Sequence, residues 1–140
     1  MAALQNISDI TENIPLRTLV VDDEPSLVHV LSRILENLGH LVVTATAGQD
    51  ALAIVAAAPQ SLDVIFTDVS IPDLSGWELA LAARQHNPKL AIVFITGWGG
   101  NIDEQMLEDY RINQVINKPY RVRDVVAAID ELMAQGLIGK

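Results

Sequence analysis

The chain has 140 residues, half of them hydrophobic and few aromatic, and a net charge of −9. That length suits one domain with one core packed from Val, Ile, Leu and Ala, and the acidity argues against direct binding to nucleic acid or an anionic membrane, where affinity comes from Lys and Arg. There is no cysteine, which excludes disulfides, thiolate chemistry and cysteine metal sites, and no apolar run approaches the roughly 20 residues that span a bilayer.

Residues 1 to about 16 mix polar and apolar side chains without a clean period and read as a tail. They lack the basic flank and apolar stretch of a secretory signal, so the cytoplasm is the expected location. Arg17 to Val21 is a buried strand that stops at Asp22-Asp23-Glu24. Pro25 suits the first turn of a helix, where its missing N–H costs nothing. Leu27, Leu31, Ile34, Leu35 and Leu38 mark one face of that helix, and Gly39 ends it. Leu41 to Ala45 is a second strand, and Gly48 to Ala58 a second helix with Ala51, Leu52 and Val55 inward and Pro59 as its stop.

The third strand, Leu62 to Asp68, is an apolar run that ends in an acid. Ser75 with Glu78 forms a capping box for a third helix running to about Gln85. Leu90 to Ile95 is a fourth strand ending at Thr96, followed by a Gly97-Trp98-Gly99-Gly100 loop. Asn101 is expected to cap a short polar helix with Ile102, Met106 and Leu107 inward. Ile112 to Asn117 is a fifth strand ending at Lys118-Pro119. Arg121 to about Gln135 is the last helix, with Val122, Val125, Val126, Ile129 and Met133 on one face and Gly136 as its end. Five strands alternating with five helices imply an α/β fold, a parallel sheet covered on both faces.

The functional signal lies in where the strands stop. The first ends at Asp22-Asp23, the third at Asp68, the fourth at Thr96 and the fifth at Lys118. All are carboxyl ends of parallel strands, the edge where open α/β sheets bind ligands. Taken singly, Asp22 or Asp23 serves equally well as a helix cap, Asp68 as a turn cap, Thr96 as an ordinary strand end and Lys118 as a solvated lysine. Taken together they make a different case. Three carboxylates in one place repel at roughly 4 kcal/mol per pair at about 4 Å, a cost that capping does not justify. Three hard oxygen donors suit a divalent cation such as Mg²⁺. Lys118 and the Thr96 hydroxyl would complement phosphoryl oxygens, so the set has the parts of a phosphoryl-transfer site with Asp68 as nucleophile.

Val21-Asp22-Asp23-Glu24-Pro25, then Asp68 with Pro72 and Gly76, then Thr96-Gly97, then Lys118-Pro119-Tyr120 make the chain resemble the receiver domain of two-component response regulators over about residues 16 to 136. The resemblance implies a flavodoxin-like (βα)5 fold of strand order 2-1-3-4-5, an order already known from receiver proteins and so carried over with the family. It implies a tail at 1–16, a receiver domain at 17–136 and a tail at 137–140. It also implies roles: Asp68 as phosphoacceptor, Asp22, Asp23 and the Ser70 backbone carbonyl as Mg²⁺ ligands with Asp68, Lys118 against the phosphoryl group, and Thr96 moving toward it. Such a domain is no general enzyme; it catalyses only its own phosphorylation and dephosphorylation. The implied partners are a sensor histidine kinase or histidine phosphotransfer protein and an output protein, with a homodimer through the fourth helix, fifth strand and fifth helix as a further expectation. A stand-alone switch or relay intermediate is the expected form.

Some residues depart from the family pattern or have no assigned role. Val115 stands where many receivers carry Tyr or Phe, which puts the usual aromatic switch in question. Trp98 is read either as a shield for the acyl phosphate or an interface, or as a loop anchor. Trp77 and Tyr120 are read as packing or partner contacts, and His29, His40 and His86 as scattered groups outside the chemistry. Two other classes share parts of the pattern. A phosphatase of the haloacid dehalogenase type carries its nucleophile on the first strand with a second Asp two residues on, where this chain has Ser70. A phosphorylation-independent adaptor would need none of the five site residues.

Overall fold

A computed structural model describes residues 15–97 and 102–136. Expectations for residues 1–14 and 137–140, for Trp98, Gly99 and Gly100, and for an Asn101 cap lie outside the described residues. In order, the elements are β1 (Arg17–Val21), α1 (Pro25–Asn37), β2 (Leu41–Ala45), α2 (Gly48–Ala57), a single 3-10 turn (Pro59–Ser61), β3 (Val64–Asp68), α3 (Gly76–His86), β4 (Ala91–Thr96), α4 (Glu104–Asp109), β5 (Gln114–Asn117) and α5 (Val122–Ala134). The strands form one parallel sheet in the order β2-β1-β3-β4-β5. This is the expected α/β fold. None of the described helices is long and apolar enough to cross a membrane.

Strand alternation divides the core between two faces. Val20, Val64, Phe66, Val93 and Ile95 pack with Val28, Leu31 and Leu35 of α1 and with Val125, Ile129 and Leu132 of α5. Leu19, Val21 and Ile65 pack with Ala51 and Val55 of α2 and Leu79 and Ala83 of α3. Ile92 and Phe94 form a third cluster with Ala80, Trp77 and Leu107 of α4. Each fully buried Leu, Ile or Phe contributes about 1.5–3 kcal/mol from removal of its surface from water, so the three central strands, buried on both faces, are the stable part of the sheet. Its β2 edge is thinner, and Leu41 and Val43 there remain 61% and 46% exposed.

Several local expectations are corrected. The inward face of α1 is centred on Val28, Leu31 and Leu35, and Leu27 is only half-buried. In α5, Val122 is 49% exposed while Ala128 and Leu132 are buried, because the apolar stripe begins one turn later than the first valine. Asp103 caps α4 by accepting from the Gln105 N–H. β3 starts at Val64 and β5 at Gln114; Asn113 precedes β5 and accepts the Ile92 N–H through its side chain at 2.7 Å. Gly39 and Gly136 both adopt positive φ at helix ends, as expected.

One histidine helps to hold the fold together. The Leu16 N–H donates to Nδ1 of the buried His40 at 3.1 Å, which ties the start of β1 to the start of β2. Burial holds the His40 pKa below its ordinary value, and the accepting nitrogen must be unprotonated. Below about pH 6.5 the unfolded chain therefore binds a proton that the folded chain excludes. Stability contributed by His40 is present above that pH and falls as the pH drops through it. Urea denaturation should give a midpoint that decreases from pH 7.5 to pH 5.5. His40→Gln should be less stable at pH 7.5 and show a flatter pH dependence.

Candidate functional site

The carboxyl edge of the sheet gathers the acids. β1 and β3 are adjacent, with Val21 opposite Thr67, so the residues that follow each strand emerge side by side. Asp22, Asp23 and Asp68 each present a carboxylate oxygen, and these oxygens lie within 4.8 Å of one another. Asp22 is buried, Asp68 partly so and Asp23 exposed. At that spacing and an effective dielectric near 20, each like-charge pair costs about 3 kcal/mol, less for the solvated Asp23.

Lys118 answers part of that charge. Its Nζ lies 3.2 Å from Asp68 Oδ2 and 3.4 Å from Asp22 Oδ2. It reaches this position because β5 pairs with β4 and the Lys118 N–H donates to the Thr96 carbonyl at 2.7 Å. Burial disfavours the ammonium ion, but bonding and attraction to Asp68 and then Asp22 outweigh it and hold the Lys118 pKa above its ordinary value. Asp22 shifts the other way from a typical paired acid. Burial raises its pKa, and the Glu24 N–H bond and Lys118 only partly offset that, with Asp68 adding to the rise. One ammonium among three carboxylates leaves two negative charges in excess. That hard-oxygen set and its charge fit a divalent cation of the Mg²⁺ type.

The other carboxylate oxygens of Asp22 and Asp68 are held by backbone. Asp22 Oδ1 accepts the Glu24 N–H at 3.0 Å and Asp68 Oδ1 accepts the Ser70 N–H at 2.9 Å. The helix-cap alternative for Asp22 or Asp23 fails, since Glu24 is the α1 N-cap and no side chain caps that helix. Ser70 is exposed beside Asp68. Thr96 is buried one residue beyond the Asp68–Ile95 pair, and its hydroxyl donates to the Gly97 carbonyl at 3.4 Å rather than to the acids or Lys118. The sheet thus brings Asp22, Asp23, Asp68 and Lys118 into one cluster, with Thr96 at its border.

Two positioning features are not evident from the sequence. Gly76 donates its N–H to the Val69 carbonyl at 2.8 Å, and a Cβ there would lie 2.8 Å from the Asp68 carbonyl and 2.9 Å from the Val69 Cα. Only glycine lets α3 start that close to the end of β3. Asp73 accepts the N–H groups of Gly48 and Gln49, both at 2.9 Å, and so caps α2 from the β3–α3 loop. Those two bonds, from Gln49 first, hold its pKa below the ordinary value. A helix opening on Ala47-Gly48 with no local cap was the one available signal. Of the residues without an assigned role, Trp77 packs edge-on to Phe94 at 4.8 Å and to Tyr110 at 5.0 Å. Tyr120 packs against the α1–α5 core, and burial raises its pKa.

The family model for the response regulator receiver domain matches residues 18–130. The chain is 33% identical over 119 residues to the probable transcriptional regulatory protein TcrX of Mycobacterium tuberculosis, a match covering 85% of this chain and 50% of that protein. It is 31% identical over 117 residues to the response regulator receiver protein CpdR of Brucella abortus, covering 84% of this chain and 96% of that one. Among solved structures it is similar to a response regulator receiver domain protein from Clostridium thermocellum, with a TM-score of 0.77 at 28% identity, covering 86% of this chain and 96% of that one. The chain spans about half the length of TcrX and of several other curated relatives it matches.

Because the Gly76 contacts are with backbone, they leave no soft neighbour to yield. Gly76→Ala should cost about 1–3 kcal/mol in urea denaturation, as overpacking does. Ser75→Ala, which removes the observed capping box with Glu78, should cost about 1 kcal/mol.

Proposed function

Since the chain belongs to the response regulator receiver domain family, we propose that Asp68 accepts a phosphoryl group from a phosphohistidine on a sensor histidine kinase or histidine phosphotransfer protein. The observation that carries this reading is the Lys118 ammonium set between Asp22 and Asp68, with three carboxylate oxygens within 4.8 Å. Residues 17–136 constitute the receiver domain in this proposal, flanked by 1–16 and 137–140.

Asp22, Asp23, Asp68 and the Ser70 backbone carbonyl would hold Mg²⁺, which when bound offsets the excess negative charge and that of the incoming phosphoryl oxygens. An Asp68 carboxylate oxygen attacks phosphorus, the phosphorus–nitrogen bond of the donor breaks, and its electron pair stays on the departing imidazole. The Ser70 N–H holds Asp68 Oδ1, which orients the carboxylate. Lys118 is already 3.2 Å from Asp68 Oδ2 and supplies a compact positive charge to the transferring group. The Thr96 hydroxyl, whose bond among the described residues is the 3.4 Å one to the Gly97 carbonyl, turns to a phosphoryl oxygen after transfer. Hydrolysis of the acyl phosphate by water returns Asp68 to its carboxylate.

The output is a change in the surface of α4, β5 and α5, which docks an output protein or a second copy of the chain. α4 has six residues and no fully buried side chain, as suits an element of low local stability. Val115 packs in the same cluster as Trp77, Phe94 and Leu107. With no aromatic at 115, the Trp77–Tyr110 contact takes over the link from α3, beside the site, to the end of α4.

Incubation with acetyl phosphate and Mg²⁺ should add the mass of one phosphoryl group to the intact protein. Asp68→Asn should gain none, EDTA should abolish the gain, and Lys118→Ala should slow it by at least about tenfold, the scale of a lost charge contact to a transferring phosphoryl group. Absence of labelling in the wild-type protein would refute the assignment.

A further inference from the structure

The amino edge of the sheet is the electrostatic opposite of the carboxyl edge. A cavity of about 630 Å³ there is lined by Arg17, Arg84, Lys89 and Arg111, four of the chain's nine Lys and Arg residues, with Asp63 as the one acid among the described residues. Arg17 is paired with Asp63 at 3.1 Å. Among the described residues, Arg84, Lys89 and Arg111 are in no ion pair. In a chain of net charge −9, such a concentration of unpaired cations does not follow from composition.

Two of these arginines are held at a cost. Arg84 donates to the carbonyls of Leu90 and Tyr110 and to Asn113 Oδ1, at 3.0, 3.0 and 2.8 Å. Its hydrogen bonds are met by neutral oxygens while its charge is not. Burial and then the neighbouring Arg111 lower its pKa to about 10. Arg111 has φ +54°, a left-handed conformation that penalises residues with a Cβ. It stands just past α4, where the Ile112 N–H closes back on the Leu107 carbonyl. The corresponding positions after α1 and α5 are Gly39 and Gly136, also at positive φ. Arginine in place of glycine at the rim of a cationic cavity is an observed strain that points to a use.

We propose that this amino-edge cavity binds a phosphorylated small molecule of nucleotide size. Three uncompensated cations call for more than one negative charge, guanidinium groups match phosphate oxygens, and the volume falls within the roughly 300–1,000 Å³ of small-molecule sites. Strands of about five residues separate it from the acid cluster by about 15 Å, so it is distinct from the Asp68 site and independent of the role proposed for Asp68.

Calorimetric titration of the full chain with pyrophosphate and with adenosine diphosphate, in EDTA at low salt, tests the proposal, with adenosine as the uncharged control. Saturable binding of either phosphate compound and none of adenosine is expected. Arg111→Gly should weaken that binding at least about tenfold while leaving the thermal midpoint unchanged or higher, because glycine accepts the left-handed conformation. Lys89→Gln should weaken it by a smaller factor, and Asp68→Asn should leave it unchanged. No saturation up to about 10 mM, the range of non-specific contact, or equal binding by wild type, Arg111→Gly and Lys89→Gln, would overturn the proposal.

Discussion

The site depends on the adjacency of β1 and β3. Side-by-side parallel pairing brings Asp22 and Asp68 to the same edge one strand apart, and nothing in either local sequence requires them to meet. Hydrophobic burial of Leu19, Val20, Val21, Val64, Ile65 and Phe66 holds this pairing against the repulsion of the acids. A few kcal/mol of like-charge cost is small beside six buried apolar side chains at about 1.5–3 kcal/mol each. The core thus maintains an arrangement that is electrostatically unfavourable without a cation, which is the condition that favours a divalent cation there.

The supports of the acid cluster come from different parts of the chain, and each has one partner in the loop that follows β3. Ser70 fixes the Asp68 carboxylate, Gly76 allows α3 to approach Asp68 closely, and Asp73 fastens the loop to the start of α2. That loop is therefore anchored at three points. The opposite side of the site is lightly held. Among the described residues the Thr96 hydroxyl makes one long bond, and α4 buries none of its residues fully. A firmly anchored acid cluster beside a weakly packed element is the arrangement in which a local change of charge can shift a neighbouring surface, because an element with few buried side chains has low local stability.

Charge is also divided across the sheet. Among the described residues, the carboxyl edge gathers carboxylates around a single ammonium, and the amino edge gathers guanidinium groups and Lys89 around a single carboxylate. Both edges take their charged groups from strand ends, a helix and the adjoining loops, while the strand middles between them are mostly apolar. Arg84 also joins α3 to the start of β4 and the turn before β5, which makes the amino edge structurally firm as well as cationic.

Much of this was legible in the sequence because it is periodic or punctuated. Apolar runs ending in Asp22, Asp68, Thr96 and Lys118 gave the strands and the acidic edge, and Ser75 with Glu78 gave the start of α3, since caps and strand ends are local features. Asp22, Asp23, Asp68 and Lys118 were legible as a set because parallel strands must all end at one edge. Errors arose where the deciding partner is remote. Val122 fits the stripe of α5 yet is half exposed, because the packed face of that helix begins a turn further on. The cap of α2 comes from Asp73, 25 residues away, and the close contact of Gly76 with Asp68 exists only once β3 and α3 are packed. Periodicity and local caps such as Ser75 with Glu78 are properties of neighbours along the chain, and the sequence by itself determined them; the remote cap of α2, which carboxylate faces which ammonium, and which cations gather at the far edge are properties of neighbours in space, and only the tertiary structure decided those.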